Sequence, residues 1–151
     1  MARALLLATL SVLLSQACFA QTPAAYDSTL AKRLGADERG MRMYTLALLT
    51  LGPRTDIPKA ERDSLFRGHM DNIGRMAKAG QLVLAGPFGK NPDYSGIYIF
   101  TTPTIAETEP LLSTDPAIAG GALGYKLYGW YGSAGIMEIP ALHERIQKKP
   151  F

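Results

Sequence analysis

Two residues have the types and settings for acid–base chemistry. His69 sits in the run RDSLFRGHMDNIGRMAKAG (residues 62–80), and Asp115 sits in STDPAIAGG (residues 113–121). Imidazole is the side chain whose ordinary titration lies nearest neutral pH, and a carboxylate on one ring nitrogen fixes its tautomer and supports its charged form. A histidine so held could take a proton from a substrate as a general base.

Each residue also has a plainer reading. On a helical wheel at about 100° per residue, Leu65, Phe66, Met70, Ile73, Met76 and Ala77 fall on the side of His69. Arg67, Asp71, Arg75 and Lys78 fall outside that arc. The imidazole therefore points into the protein, and periodicity alone fits a core histidine tied to a backbone carbonyl. An aspartate followed by proline is likewise a helix N-cap with Pro at the first position, so Asp115 could serve only to start a turn at Pro116. Pattern leaves both pairs of readings open.

The elements that must position them can be read from apolar runs and their punctuation. RMYTLALLTLGP, closed by Gly52-Pro53, predicts a strand apolar on both faces. Pro58 fits a helix first turn, and Gly80 fits the left-handed cap of a helix carrying His69. QLVLAGPFG predicts a second strand, NPDYSG a turn and IYIF a third strand. TPTIAETEPLL predicts a second helix capped by Thr102 or Thr104 and shortened or kinked by Pro110. ALGYKLYGWYG predicts the last strand. Residues 28–34 predict a short helix stopped by Gly35, within an extension over residues 21–40.

That order is βαββαβ, the ferredoxin-like α+β arrangement. Both helices lie on one face of a four-stranded antiparallel sheet, and the other face is expected bare. The last strand puts Tyr125, Leu127 and Tyr131 on one face and Tyr128 and Trp130 on the other. A bare apolar face of several hundred Å2 calls for a cover. A second copy is the simplest one, so a homodimer is expected.

The runs RMYTLALLTLGP, GHMDNIGRMAKAGQLVLAGPF, STDPAIAGG and WYGSAG, in that order and spacing, resemble the YCII-related family over residues 41–135. The flanking LGADERGM and MEIPALHERIQKKPF resemble an exported subgroup of it. The resemblance implies a dimeric α+β barrel built from ferredoxin-like protomers. It implies a His–Asp pair in a cleft, falling on His69 and Asp115. It also implies lyase or isomerase chemistry on a small cyclic or aromatic substrate, one relative being a dehydrochlorinase of a hydroxylated ring. Relatives often carry a basic residue before a Pro-Trp in the last strand, where this chain has Tyr128-Gly129-Trp130. A small-ligand-binding dimer without catalysis is the alternative function, and a structural pair a third.

Other constellations are thin. His143, the second of two histidines, lies in an expected C-terminal tail (residues 134–151), and two distant histidines make a poor metal site. No metal or other cofactor is expected. Gly86, Gly89 and Gly96 open no helix, so they form no phosphate loop. Ser133 lacks the Gly-x-Ser-x-Gly frame of a nucleophile elbow. Tyr98 and Tyr128 could line a pocket, but tyrosine is an ordinary strand residue and they read as that.

Residues 1–20 have the layout of a secretory signal: Arg3, an apolar run over residues 5–14, and ACFA before Gln21. Cleavage after Ala20 is expected, with lipid on Cys18 as the rival, and a periplasmic or secreted address follows. Cleavage removes the one cysteine, and with it disulfides and thiolate chemistry. The net charge is +3; losing Arg3 leaves 15 basic against 13 acidic side chains, a net +2. With no basic stripe carrying interleaved aromatics, nucleic acid is an unexpected partner. After the signal no apolar run reaches the roughly 20 residues of a membrane span.

Overall fold

A computed structural model of the chain describes residues 25–149. The expected signal and its expected cut site lie outside the described residues. The elements are α1 (Ser28–Leu34), β1 (Met41–Leu51), α2 (Lys59–Lys78), β2 (Leu82–Pro87), β3 (Gly96–Phe100), α3 (Ile105–Leu112), α4 (Pro116–Ala119), β4 (Leu123–Ser133), a 3-10 turn (Ala134–Glu138) and α5 (Ile139–Ile146). The sheet order is β2-β3-β1-β4, with every neighbouring pair antiparallel. Strand order and helix placement make this a ferredoxin-like α+β fold.

Strand alternation divides the molecule into two apolar layers. Ala47, Leu49, Tyr98, Phe100 and Leu123 face the helices and are sealed by Met76 of α2, Leu112 of α3 and Ala117 of α4. At the predicted cap, Gly80 has φ 68°, a conformation that other residues reach only with strain. Pro58 stands at the N-cap of α2, one position before the helix proper. Thr104 caps α3, which runs only to Leu112, two residues past Pro110.

The opposite face differs from expectation: it is not bare. Tyr44, Val83 and Ile99 are buried there, with Trp130 and with Ile136 and Met137 of the 3-10 turn packed on them. The segment expected as a tail turns back over the sheet, and α5 continues against edge strand β2. The physical reason is a short apolar patch, Ile136-Met137, delivered to the sheet by the chain's reversal at Ser133. Ser133 Oγ accepts from the N–H of Gly135, and the N–H of Ala134 donates to the carbonyl of Gly40. The N-terminal extension meets it at the same end. Arg33 pairs with Glu138 at 2.7 Å, Arg42 donates to the carbonyls of Leu34 and Thr101, and the Tyr131 hydroxyl donates to Asp37. Farther along this face Leu46, Leu48 and Ile97 are half-buried and Tyr128 is exposed.

Candidate active site

His69 and Asp115 meet between α2 and the sheet. Asp115 is extended (φ −80°, ψ 116°) and starts α4: its Oδ1 accepts from the N–H of Ala117 at 2.9 Å, with Pro116 at the first helical position. Its second oxygen, Oδ2, lies 2.8 Å from His69 Nδ1. The plainer reading of Asp115 and the chemical one therefore hold together, one oxygen each. For His69 the backbone-carbonyl reading fails, because the partner is a side chain 46 residues away in sequence.

α2 and α4 come close enough for this because Gly68 has no side chain. A Cβ there would lie 2.8 Å from Cγ of Pro116. At the far end of α4, a Cβ on Gly120 would lie 2.7 Å from a methyl of Leu65. Two glycines thus let the backbone carrying Asp115 settle onto the helix carrying His69.

A third group completes the cluster. Tyr98 projects from β3 towards the helices, and its hydroxyl lies 3.3 Å from Asp115 Oδ2 and 3.3 Å from both ring nitrogens of His69. An oxygen equidistant from two nitrogens of one ring cannot align with the in-plane lone pair of either. The two rings are in fact stacked, with planes 24° apart. The directed bond of the hydroxyl is its donation to Asp115. Burial first, then the charge of Asp115 and that hydrogen bond, push Tyr98 far above the ordinary tyrosine range. It stays a neutral phenol at physiological pH, fit to donate and unfit to act as a base.

The tautomer of His69 follows from the inventory of protons. A carboxylate only accepts, so Nδ1–H donates to Asp115 Oδ2 and the lone pair sits on Nε2. That is the arrangement a general base requires. His69 is 8% exposed and Asp115 fully buried. Phe66 meets the imidazole edge-on at 5.7 Å, and Arg62 rests on the Phe66 ring at 5.2 Å.

The resemblance implies a cleft at the pair. A groove of about 540 Å3 runs along α2 between Asp63, Phe66, Arg67, Met70 and Asp71. A smaller hollow of about 220 Å3 lies by Gly52, Arg54, Arg62 and Ala122. Neither is lined by His69 or Asp115. Phe66 lines the groove and packs edge-on against the imidazole, which is itself buried. His143 is exposed on α5, an element packed against β2 and the 3-10 turn rather than in this cluster. Among the described residues no three His, Cys, Asp or Glu side chains gather as a metal would need, and no helix is long and apolar enough to cross a membrane.

Sequence reasoning passed over Tyr98. Its signal was available in the alternation of β3, which puts Tyr98 and Phe100 on the helix side, but not the register that brings Tyr98 opposite His69.

No protein-family model matches the chain, and no curated protein matches it in sequence. Among solved structures it is similar to 5-chloro-2-hydroxyhydroquinone dehydrochlorinase from Burkholderia phenoliruptrix, in complex with 2,5-dihydroxybenzoquinone. The TM-score is 0.40 and the identity 14%, over 59% of this chain and 93% of that one. A likeness of that size carries neither fold nor reaction across, so the fold rests on strand order and the site on its own geometry.

Proposed function

We propose that the protein is a small enzyme of the YCII-related type, with His69 as general base and Asp115 as its orienting partner. The observation that supports this is the 2.8 Å contact between Nδ1 and a carboxylate whose other oxygen is fixed to the backbone of α4. Nε2 takes a proton from a small cyclic or aromatic acid or phenol. The electrons of the broken bond form a new double bond and a leaving group departs, or the proton returns at another atom. Asp115 offsets the positive charge that His69 gains, and Tyr98 steadies the carboxylate from the sheet side. A positioned base supplies roughly 10²–10⁴-fold in rate.

The burial of His69 favours one other reading, in which the pair is a structural tie. His69→Gln separates the two when assayed against a panel of hydroxylated aromatic and small cyclic acids. Loss of turnover with the melting temperature kept supports the enzyme. Full turnover by the variant sinks it, and a fall of several degrees with no panel member consumed by the parent protein favours the tie.

Two further features belong to the same proposal. The chain is exported and cut after Ala20, which the mass of the secreted protein decides: a start at Gln21 supports this, and a lipid on Cys18 overturns it. The outer sheet face, where Leu46, Leu48, Ile97 and Tyr128 remain only partly covered, takes a second copy to form the dimeric barrel.

A further inference from the structure

A second tie joins the same two segments as the His69–Asp115 bond, one step along each. His69, Asn72 and Arg75 recur at a spacing of three along α2, and Thr114 immediately precedes Asp115. Asn72 is 5% exposed. Its Oδ1 accepts from Arg75 Nη2 at 2.6 Å and from Arg75 Nε at 3.2 Å, and the same Nη2 donates to Thr114 Oγ1 at 2.8 Å.

Proton counting shows which group bridges. Thr114 has one hydroxyl proton and two acceptors within reach, the carbonyl of Leu111 at 2.7 Å and Asn72 Oδ1 at 3.2 Å. The shorter contact takes it. Thr114 and Asn72 then face each other with acceptors, and neither can hold the other. Arg75 Nη2, with two protons, donates to both. The guanidinium is the cross-piece between helix and loop, and its planar fork is what lets one side chain reach Asn72 twice and Thr114 once.

We infer that Arg75, acting through Asn72 and Thr114, is a positioning device that sets Asp115 against His69. This rests on the reading of His69 and Asp115 as the working pair. The Asp115 main chain is held along the chain by local bonds, its N–H donating to the carbonyl of Leu112 and its carbonyl accepting from Ile118 and Ala119, while Thr114 and Ser113 beside it are exposed. On the helix side, the pair and the Arg75 bridge are its polar ties to α2. Without the bridge, the carboxylate is placed by its own three bonds, to His69, Tyr98 and Ala117, and by the packing of α4.

The test reads the geometry itself. In the full-length mature protein, the Nδ1–H of His69 gives a low-field proton resonance whose exchange with water reports opening of the bond to Asp115. Arg75→Gln and Thr114→Val should each speed that exchange about two- to fivefold, the size expected for losing an exposed contact to a charged donor. Because both changes break one bridge, the double variant should be no faster than the worse single one. Thr114→Ser keeps the acceptor and should restore the parent rate. A merely structural role would lower the melting temperature of Arg75→Gln without moving the His69 signal, and that result overturns the inference. Exchange that speeds in Thr114→Ser as much as in Thr114→Val overturns it too. If the exchange behaves as stated while His69→Gln retains turnover, the bridge stands and the catalytic reading falls.

Discussion

Gly68→Ala tests how the fold delivers the pair, because it adds one methyl and removes no polar group. The new carbon would start 2.8 Å from Pro116 Cγ and 3.1 Å from its Cβ. Carbon atoms in ordinary contact sit about 3.5–4.0 Å apart, so α2 and α4 must separate by about 0.7 Å. The proline ring cannot swing aside as a flexible side chain would. Added to the 2.8 Å between His69 Nδ1 and Asp115 Oδ2, that displacement gives about 3.5 Å, where a hydrogen bond is largely lost. Overpacking costs about 1–3 kcal/mol, and alanine returns about 0.8–1.0 kcal/mol of helix propensity, so the net loss is about 0–2 kcal/mol. Gly74→Ala is the control: it lies on the same helix with nothing within 4 Å of its added carbon, and it should gain most of the propensity term. Thermal unfolding of both variants and the His69 Nδ1–H resonance are the measurements. Gly74→Ala should melt higher and keep the resonance, while Gly68→Ala should melt no higher than the parent and lose it. A Gly68→Ala protein that gains stability like its control, with the resonance intact, would refute the claim that close approach of these helices builds the site.

Tyr98 makes stability fall on the alkaline side. Its folded value lies above the roughly 10 of an unfolded tyrosine, so its contribution is whole below about pH 10 and is lost above it at up to about 1.4 kcal/mol per pH unit. Tyr98→Phe should flatten, not abolish, that slope in denaturant titrations above pH 10, since burial also raises Tyr44 and the bond to Asp37 raises Tyr131; an unchanged slope removes Tyr98 from the account. For the outer face, sedimentation at micromolar concentration should show a dimer that Leu48→Lys converts to a folded monomer; a stable monomeric parent protein sinks the barrel arrangement.

Much of the frame was legible because it rests on local signals. The strand at MRMYTLALLTL shows an apolar run, the helices around His69 and over Ser28–Leu34 show an apolar period, and each has a glycine or proline stop. The pairing of His69 with Asp115 was accessible only through the resemblance, since wheel and cap patterns each allowed a plainer role. What stayed hidden depends on register and on chain reversal. Tyr98 is one of seven tyrosines, and nothing local separates it from Tyr128 until β3 is paired with β1. Arg75 lies on the polar side of its helix wheel, where a solvated arginine is the default, and it reaches a partner outside its own helix only once the loop at Thr114 is in place. Ile136-Met137 precede a short charged helix, a pattern that fits a solvated tail as well as a strap across the sheet.

The division of labour on Asp115 explains why the two readings of this residue need not compete, and it shapes the one substitution able to part them. Asparagine can keep the cap only by turning its carbonyl oxygen to the N–H of Ala117, because losing that acceptor costs about 1 kcal/mol. Its amide nitrogen then occupies the place of Oδ2 and presents protons to His69 Nδ1. Two donors cannot face each other, so the imidazole proton must move to Nε2, the nitrogen that the base needs free. Asp115→Asn should therefore leave α4 intact while removing both the Nδ1–H resonance and turnover, and it also takes away the acceptor of the buried Tyr98 hydroxyl, a loss of about 1–3 kcal/mol. If the amide flips the other way, it accepts from Nδ1–H and keeps the resonance, and the loss falls on the cap of α4 instead. The two outcomes are exclusive, and the proton on His69 decides between them.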